Sequence, residues 1–202
     1  MRAQLGTGLV VLSLIFGSTA GGGRAAQAQD GGVLRGPHPF LKPNALALTG
    51  GYATATGGTM GGLLLKGAYE YELLGSFWLN LQMAFVDGSD EPADTRRCTS
   101  CGRAASSMAG LTYRLRMDVP VVLSGTLAGG FVFVFPDSAP SAMGLAVRPS
   151  VAARYFVYDW LGFGVELGST LGFASHDADA GLSRGLGTLE ALMGAEVQFD
   201  TP

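Results

Sequence analysis

The chain has 202 residues, a formal net charge of −3, 14% charged residues and 32 glycines. A mildly acidic chain lacks the basic footprint that nucleic acid demands. Soluble domains average about 25% charged residues, and here lysine occurs only at Lys42 and Lys66, so the chain is short of the side chains that clothe a water-facing surface.

Residues 1–28 read as a secretory signal peptide. Arg2 supplies the positive start, Leu5 to Phe16 the apolar stretch, and Ala26-Gln27-Ala28 the small-x-small cleavage pattern. The apolar stretch falls short of the ~20 residues a helical span needs, which argues against an uncleaved anchor. No cysteine stands at the cleavage point to carry a lipid. Removing Arg2 and Arg24 leaves the remainder more acidic still.

From Asn44 onward a two-residue rhythm takes over, clearest at Phe77-Trp78-Leu79-Asn80-Leu81-Gln82-Met83-Ala84-Phe85. Alternate strand side chains point to opposite faces, so such a segment has one oily and one polar surface. The rhythm predicts eight strands: Asn44–Thr56, Leu63–Leu73, Phe77–Asp87, Ser107–Val119, Val121–Phe135, Met143–Val157, Trp160–Ala174 and Gly187–Phe199. These exceed the five or six residues usual in soluble sheets and suit the 9–11 tilted residues that cross a bilayer. Leu74-Gly75-Ser76, Pro120 and Tyr158-Asp159 read as tight turns. Gly57–Gly62, Gly88–Ser106, Pro136–Ala142 and Ser175–Leu186 read as the opposite, longer set. Short turns on one side and longer loops on the other are the pattern of a transmembrane barrel with both termini in the periplasm.

The expectation is therefore all-β: an eight-stranded antiparallel up-and-down transmembrane β-barrel in the outer membrane. Residues 29–43 would form a short periplasmic segment and residues 44–200 the barrel. The oily face (Leu79, Leu81, Leu111, Leu127, Val147, Leu167 and their alternates, running to Met117 in the fourth strand) is assigned to outer-membrane lipid. The other face carries Lys66, Arg114, Arg116, Arg148 and Arg154 against Glu70, Glu72, Asp118, Glu166, Glu190 and Glu196. Isolated charges in a closed lumen are costly, whereas opposite neighbours satisfy one another, so a paired network plugging the bore is expected. A soluble lipocalin-like barrel, with the faces exchanged, also alternates. It leaves the nearly lysine-free, Gly/Ala-rich polar face unexplained.

Aromatic residues cluster at both predicted rims, with Tyr71, Phe77, Trp78, Tyr155, Tyr158, Trp160 and Phe199 at one and Phe85, Phe131, Phe133, Phe135 and Phe173 at the other, as interfacial girdles require. Pro149, inside the sixth strand, removes a ladder donor and predicts a bulge or local widening.

On these features the mature chain resembles the small eight-stranded outer-membrane barrels of Gram-negative bacteria, the OmpA/OmpX/OmpW-like group. The most specific part is the last strand, where Gly194 is followed by the alternating hydrophobics Val197 and Phe199. It resembles the C-terminal signal read by the barrel-assembly machinery, and so implies that machinery as a partner. The chain departs from that pattern in continuing through Asp200-Thr201-Pro202. Members of the group include structural anchors, adhesion or defence proteins, small-solute channels and lipid-modifying enzymes, so membership leaves function open.

Candidate chemistry is sparse. Cys98 and Cys101 lie in the longest predicted loop, where an intraloop disulfide is the leading reading in an oxidising envelope; free thiols or a metal or redox site are the alternatives. The acidic run Asp87–Asp94 misses the EF-hand spacing, and His176-Asp177-Ala178-Asp179 likewise reads as solvated loop. A hydrolase would need Ser175 and His176 with Asp177 or Glu166, but adjacent Ser and His side chains on a strand or loop usually diverge, and the His-x-Ser spacing of the lipid-modifying members is absent. Eight strands enclose little beyond their own side chains, although Val122, Val132, Val134 and Phe156 form a candidate apolar patch for a hydrophobic-solute path. The expectation is a monomeric, non-catalytic barrel without cofactor, metal or nucleic acid, acting structurally or in surface interactions through its loops. A small-solute channel is the alternative, and a lipid-modifying enzyme a more distant one.

Overall fold

The computed structural model describes residues 41–56, 61–90, 102–115, 117, 119–136, 141–175 and 184–200. The signal segment 1–28, Cys98, Cys101, Arg116, Asp118, His176 and Asp177 lie outside the described residues.

Eight strands follow one another: β1 (Asn44–Ala55), β2 (Gly61–Leu74), β3 (Phe77–Asp90), β4 (Gly102–Leu115), β5 (Val121–Pro136), β6 (Ala142–Tyr158), β7 (Leu161–Ser175) and β8 (Arg184–Phe199). Each pairs antiparallel with its neighbours, and β1 closes onto β8 from Asn44↔Phe199 to Ala55↔Thr188. Closure leaves no edge for a further strand to join. The tight β2–β3 turn uses Gly75 at φ 55°, a left-handed position where other residues are strained.

The alternation seen in the sequence becomes an inside and an outside. Leu48, Leu65, Met83, Leu111, Leu127, Val151, Leu167 and Met193 are exposed on the outer wall, while Lys66, Asn80, Gln82, Thr112, Arg148 and Glu190 are buried in the bore. The surface is thus oily and the interior carries the charged and polar side chains, the inverse of a soluble barrel.

Four expectations need correction. The fourth strand runs from Gly102 to Leu115 rather than Ser107 to Val119, so Met117 lies beyond it. Its outer end shows little rhythm because Ala105, Ser107 and Ala109 are small, yet it pairs with β3 up to Asp87↔Arg103 and with β5 up to Gly102↔Pro136. Trp160 lies in the β6–β7 turn, stacked on Tyr158 at 5.9 Å, rather than starting a strand. Trp78 belongs to no girdle: it is fully buried in the bore, because its parity is opposite to that of Phe77. Of the two expectations for Pro149, the bulge is absent, while a local break in the pairing is present. The β6–β7 ladder omits the rungs between Val147↔Leu171 and Ser150↔Gly168 and resumes in the same register, while Pro149 stays paired with Leu127 on the other side.

Candidate functional site

The bore is stratified. At the short-turn end an apolar layer of Leu41, Ala45, Trp78, Val122 and Phe156 closes it. Leu41 precedes β1 and turns into the mouth. Lys42 N donates to Gln198 Oε1 at 2.9 Å, and Lys42 Nζ pairs with Asp159 at 3.6 Å and Asp200 at 3.5 Å. These contacts hold the lead-in chain across the opening. Replacing Leu41 by aspartate should therefore admit water to Trp78. In a Trp160→Phe background, which leaves Trp78 as the sole tryptophan, acrylamide quenching should rise several-fold; unchanged quenching would show that the lead-in chain does not seal the mouth.

Above this layer, among the described residues, lie four buried cations, Lys66, Arg114, Arg148 and Arg154, and four buried carboxylates, Glu70, Glu166, Glu190 and Glu196. Their formal charges cancel. Arg114 on β4 donates from Nε (2.9 Å) and Nη2 (2.6 Å) to Glu70 on β2, and from Nη1 to Glu196 on β8 at 2.7 Å. Its guanidinium carbon sits 4.2 Å from the centre of the Trp78 ring, a cation–π contact that sequence reasoning missed. The parity of β3 was the signal that could have found it. Asn80 donates to Glu70 at 3.0 Å and Gln198 to Glu196 at 2.7 Å.

The second cluster centres on Glu166 of β7. Lys66 Nζ from β2 meets both of its oxygens at 2.5 and 2.6 Å, and Arg148 Nη1 donates to it at 2.8 Å. Arg148 also bonds Glu190 through Nε at 2.7 Å, and Glu190 accepts further from Thr170 at 2.6 Å and Thr188 at 3.0 Å. Arg154 joins the two clusters, with Nε 2.8 Å from Glu196 Oε2 and Nη2 4.0 Å from Glu166. The Arg154–Glu196 contact is close but not aligned as a hydrogen bond, since Glu196 Oε2 has no hydrogen-bond partner, so it counts as an ion pair only.

The Arg114–Glu70, Arg114–Glu196, Lys66–Glu166, Arg148–Glu190 and Arg154–Glu196 contacts join strands that are not neighbours in the sheet, so they cross the bore rather than lining one wall. Room for them comes from β7. A methyl at Gly168 would fall 2.9 Å from Arg148 Nη2, and one at Gly164 would fall 2.8 Å from Arg154 Cγ and 2.2 Å from the Ala153 carbonyl.

Glu72 is part-buried near the short-turn rim, its backbone N–H donating to Pro43 O at 2.8 Å. The proposed apolar patch does not form as one unit. Val122 and Phe156 belong to the layer at the short-turn mouth, while Val132 and Val134 belong to a separate cluster with Ala104, Met108, Ala128 and Ala146 toward the long-connection end. The ionic layer stands between them. Glu166, one of the two acids considered for a hydrolase, is held in the bore by Lys66 and Arg148. Gly194, Val197 and Phe199 lie in β8 and pair with Thr49, Leu46 and Asn44 of the closing strand.

No protein-family model matches the chain, and neither does any curated protein. Among solved structures it is similar to Neisserial surface protein A, with a TM-score of 0.58 at 13% identity, covering 78% of this chain and 98% of that one. A major outer membrane protein from Thermus thermophilus gives a TM-score of 0.46 at 14% identity, over 77% of this chain and 99% of that one. Ail, the attachment invasion locus protein of Yersinia pestis, gives 0.39 at 13%, over 77% and 99%. At these identities the likeness is one of fold. The chain has the fold of the small outer-membrane barrels and, with its exposed apolar wall, is a β-barrel of the outer-membrane type.

Proposed function

We propose that this barrel is a sealed outer-membrane scaffold with a structural or surface-interaction role carried by its extracellular loops, neither conducting solute nor catalysing a reaction. The observation that supports this reading is the charge-balanced layer across the bore, backed by the apolar layer of Leu41, Trp78, Val122 and Phe156 beneath it. An ion crossing would have to part Lys66 from Glu166 and Arg114 from Glu70 and Glu196. Parting a buried pair leaves each charge uncompensated in a low-dielectric interior, which opposes such a passage. Assembly fits the barrel-assembly machinery, with Gly194, Val197 and Phe199 as its recognition residues, and closure of β1 on β8 fits a monomer.

Planar-bilayer recording of the purified chain tests the sealed bore. No steady current is expected at moderate voltage. A steady conductance that changes with the solute offered would overturn the reading in favour of a small-solute channel.

A further inference from the structure

Two cavities adjoin the ionic layer. The larger is an apolar cup of about 60 Å³ above Arg148 and Glu190, walled by Leu64, Val86, Ala104, Val132 and Val134. The smaller lies within the layer itself. It measures about 10 Å³ and is lined by Thr49, Arg154 and Glu166, with Gly164, Val165, Gly194 and Ala195 of β7 and β8 behind them.

The smaller cavity follows from one rung of the sheet. Thr49, Gly194, Gly164 and Arg154 pair in turn across β1, β8, β7 and β6, so two neighbouring strands offer no side chain to the bore at that level. The wall cannot fill the space with methyls. One at Gly194 would fall 2.1 Å from Leu48 O, and one at Gly164 would fall 2.2 Å from Ala153 O.

Three side chains around this space have bonding capacity left. Arg154 Nη2 stands 4.0 Å from Glu166 Oε2, too far for a direct hydrogen bond. The rest of that guanidinium is held elsewhere, by Ser124 Oγ at 3.0 Å from Nη1 and by Glu196 Oε2 at 2.8 Å from Nε. Glu166 Oε2 accepts from Lys66 Nζ at 2.6 Å and keeps a second lone pair. The Thr49 hydroxyl reaches the Lys66 carbonyl at 3.5 Å, where little of a hydrogen bond remains.

We infer that this cavity is a built site for one water molecule, which accepts from Arg154 Nη2, donates to Glu166 Oε2 and bonds the Thr49 hydroxyl. Arg154 then couples the Glu196 cluster to the Glu166 cluster through that water. Three features select it. The volume is about that of one water probe, which excludes a larger guest. An anion would face Glu166 and a bare cation would face Arg154, whereas a neutral dipole satisfies both. A water about 2.8 Å from each end spans a 4.0 Å gap and bonds nearly as well as a direct contact. The inference concerns how the layer is bonded and stands apart from any role of the loops.

Crystals of the full barrel, diffracting finely enough to place single waters, provide the test. One density peak is expected within hydrogen-bond distance of Arg154 Nη2, Glu166 Oε2 and the Thr49 hydroxyl. Thr49→Val, whose methyl crowds a one-water cavity, should abolish the peak, and Thr49→Ser, which keeps the hydroxyl, should retain it. In lipid nanodiscs the Gly194 amide should show a water cross-peak of the sign given by slowly exchanging water, lost in Thr49→Val. The wild-type density and cross-peak decide the question even where a variant fails to fold.

A direct Arg154–Glu166 hydrogen bond with no density between them would overturn the inference. So would a peak that survives Thr49→Val, or one lost equally in Thr49→Val and Thr49→Ser. An anomalous peak in the cavity after a bromide soak would overturn it in favour of an anion. A leak current in the bilayer recording would instead count against the sealed bore, so the two readings fail separately.

Discussion

Replacement of Arg114 by methionine is expected to destabilise the folded barrel by about 3–5 kcal/mol, the range for removing one partner of a buried ion pair. Arg114 is completely buried and holds two carboxylates at once, Glu70 and Glu196. The two are not left in equal difficulty. Glu196 keeps Gln198 as a donor and Arg154 as a neighbouring cation, whereas Glu70 keeps the Asn80 amide. Most of the loss should therefore trace to Glu70. Adding Glu70→Gln to the Arg114→Met chain should recover more than half of it, and adding Glu196→Gln should recover less.

Arg114→Lys should fall between wild type and Arg114→Met. A lysine keeps the charge but loses the planar fork that reaches Glu70 and Glu196 together, and with it the flat contact over Trp78. Urea unfolding in lipid bilayers, followed by the gel shift between folded and heat-unfolded forms, measures all four variants. A loss below about 1 kcal/mol for Arg114→Met, or equal rescue by the two glutamine variants, would mean that the pairs do not carry the layer as their geometry implies.

The second large effect concerns the outer wall. Leu127 projects outward from the middle of β5, is 63% exposed, and pairs with Leu111 and Pro149 across its two neighbours. Arginine at this depth should cost about 2–4 kcal/mol in a bilayer, because its charge has no water and no lumen partner. Leu74, equally exposed but at the short-turn end of β2, should accept the same substitution for about 0–1 kcal/mol, since a rim guanidinium reaches the headgroups. The comparison holds side chain and exposure constant and varies depth alone. Equal costs at the two positions would be inconsistent with a membrane-facing wall. A soluble barrel with the polar face outside would need Leu127 in its interior, and the structure puts it on the surface.

A good deal of this is legible along the chain. A period of two is a local property, set by the alternation of side chains on an extended backbone, so each strand can be read from its own residues. The fourth strand is the exception because its pattern is weakest at Ala105, Ser107 and Ala109, whose small side chains hide which face is oily. The observed β3 and β8 also run further toward the long-connection end than the rhythm predicts, to Asp90 and from Arg184. Trp78 misleads for a different reason. Its bulk and its place near a rim suggest a girdle, although its register with Phe77 already points it inward.

The sequence by itself therefore determined the eight strands, the closed fold they imply, and which side of the wall Lys66, Glu70, Arg114, Arg148, Arg154, Glu166, Glu190 and Glu196 occupy. Only the tertiary structure decided who meets whom. Lys66 finds Glu166 from 100 residues away, and Arg114 reaches Glu196 from 82, because closing the sheet sets the relative height of all eight strands at once. That height is a property of the whole ring, invisible to any single strand. It is also what splits the bore into a capped mouth, an ionic floor and an apolar cup, by bringing Trp78 under Arg114 and leaving Val132 and Val134 above Arg148.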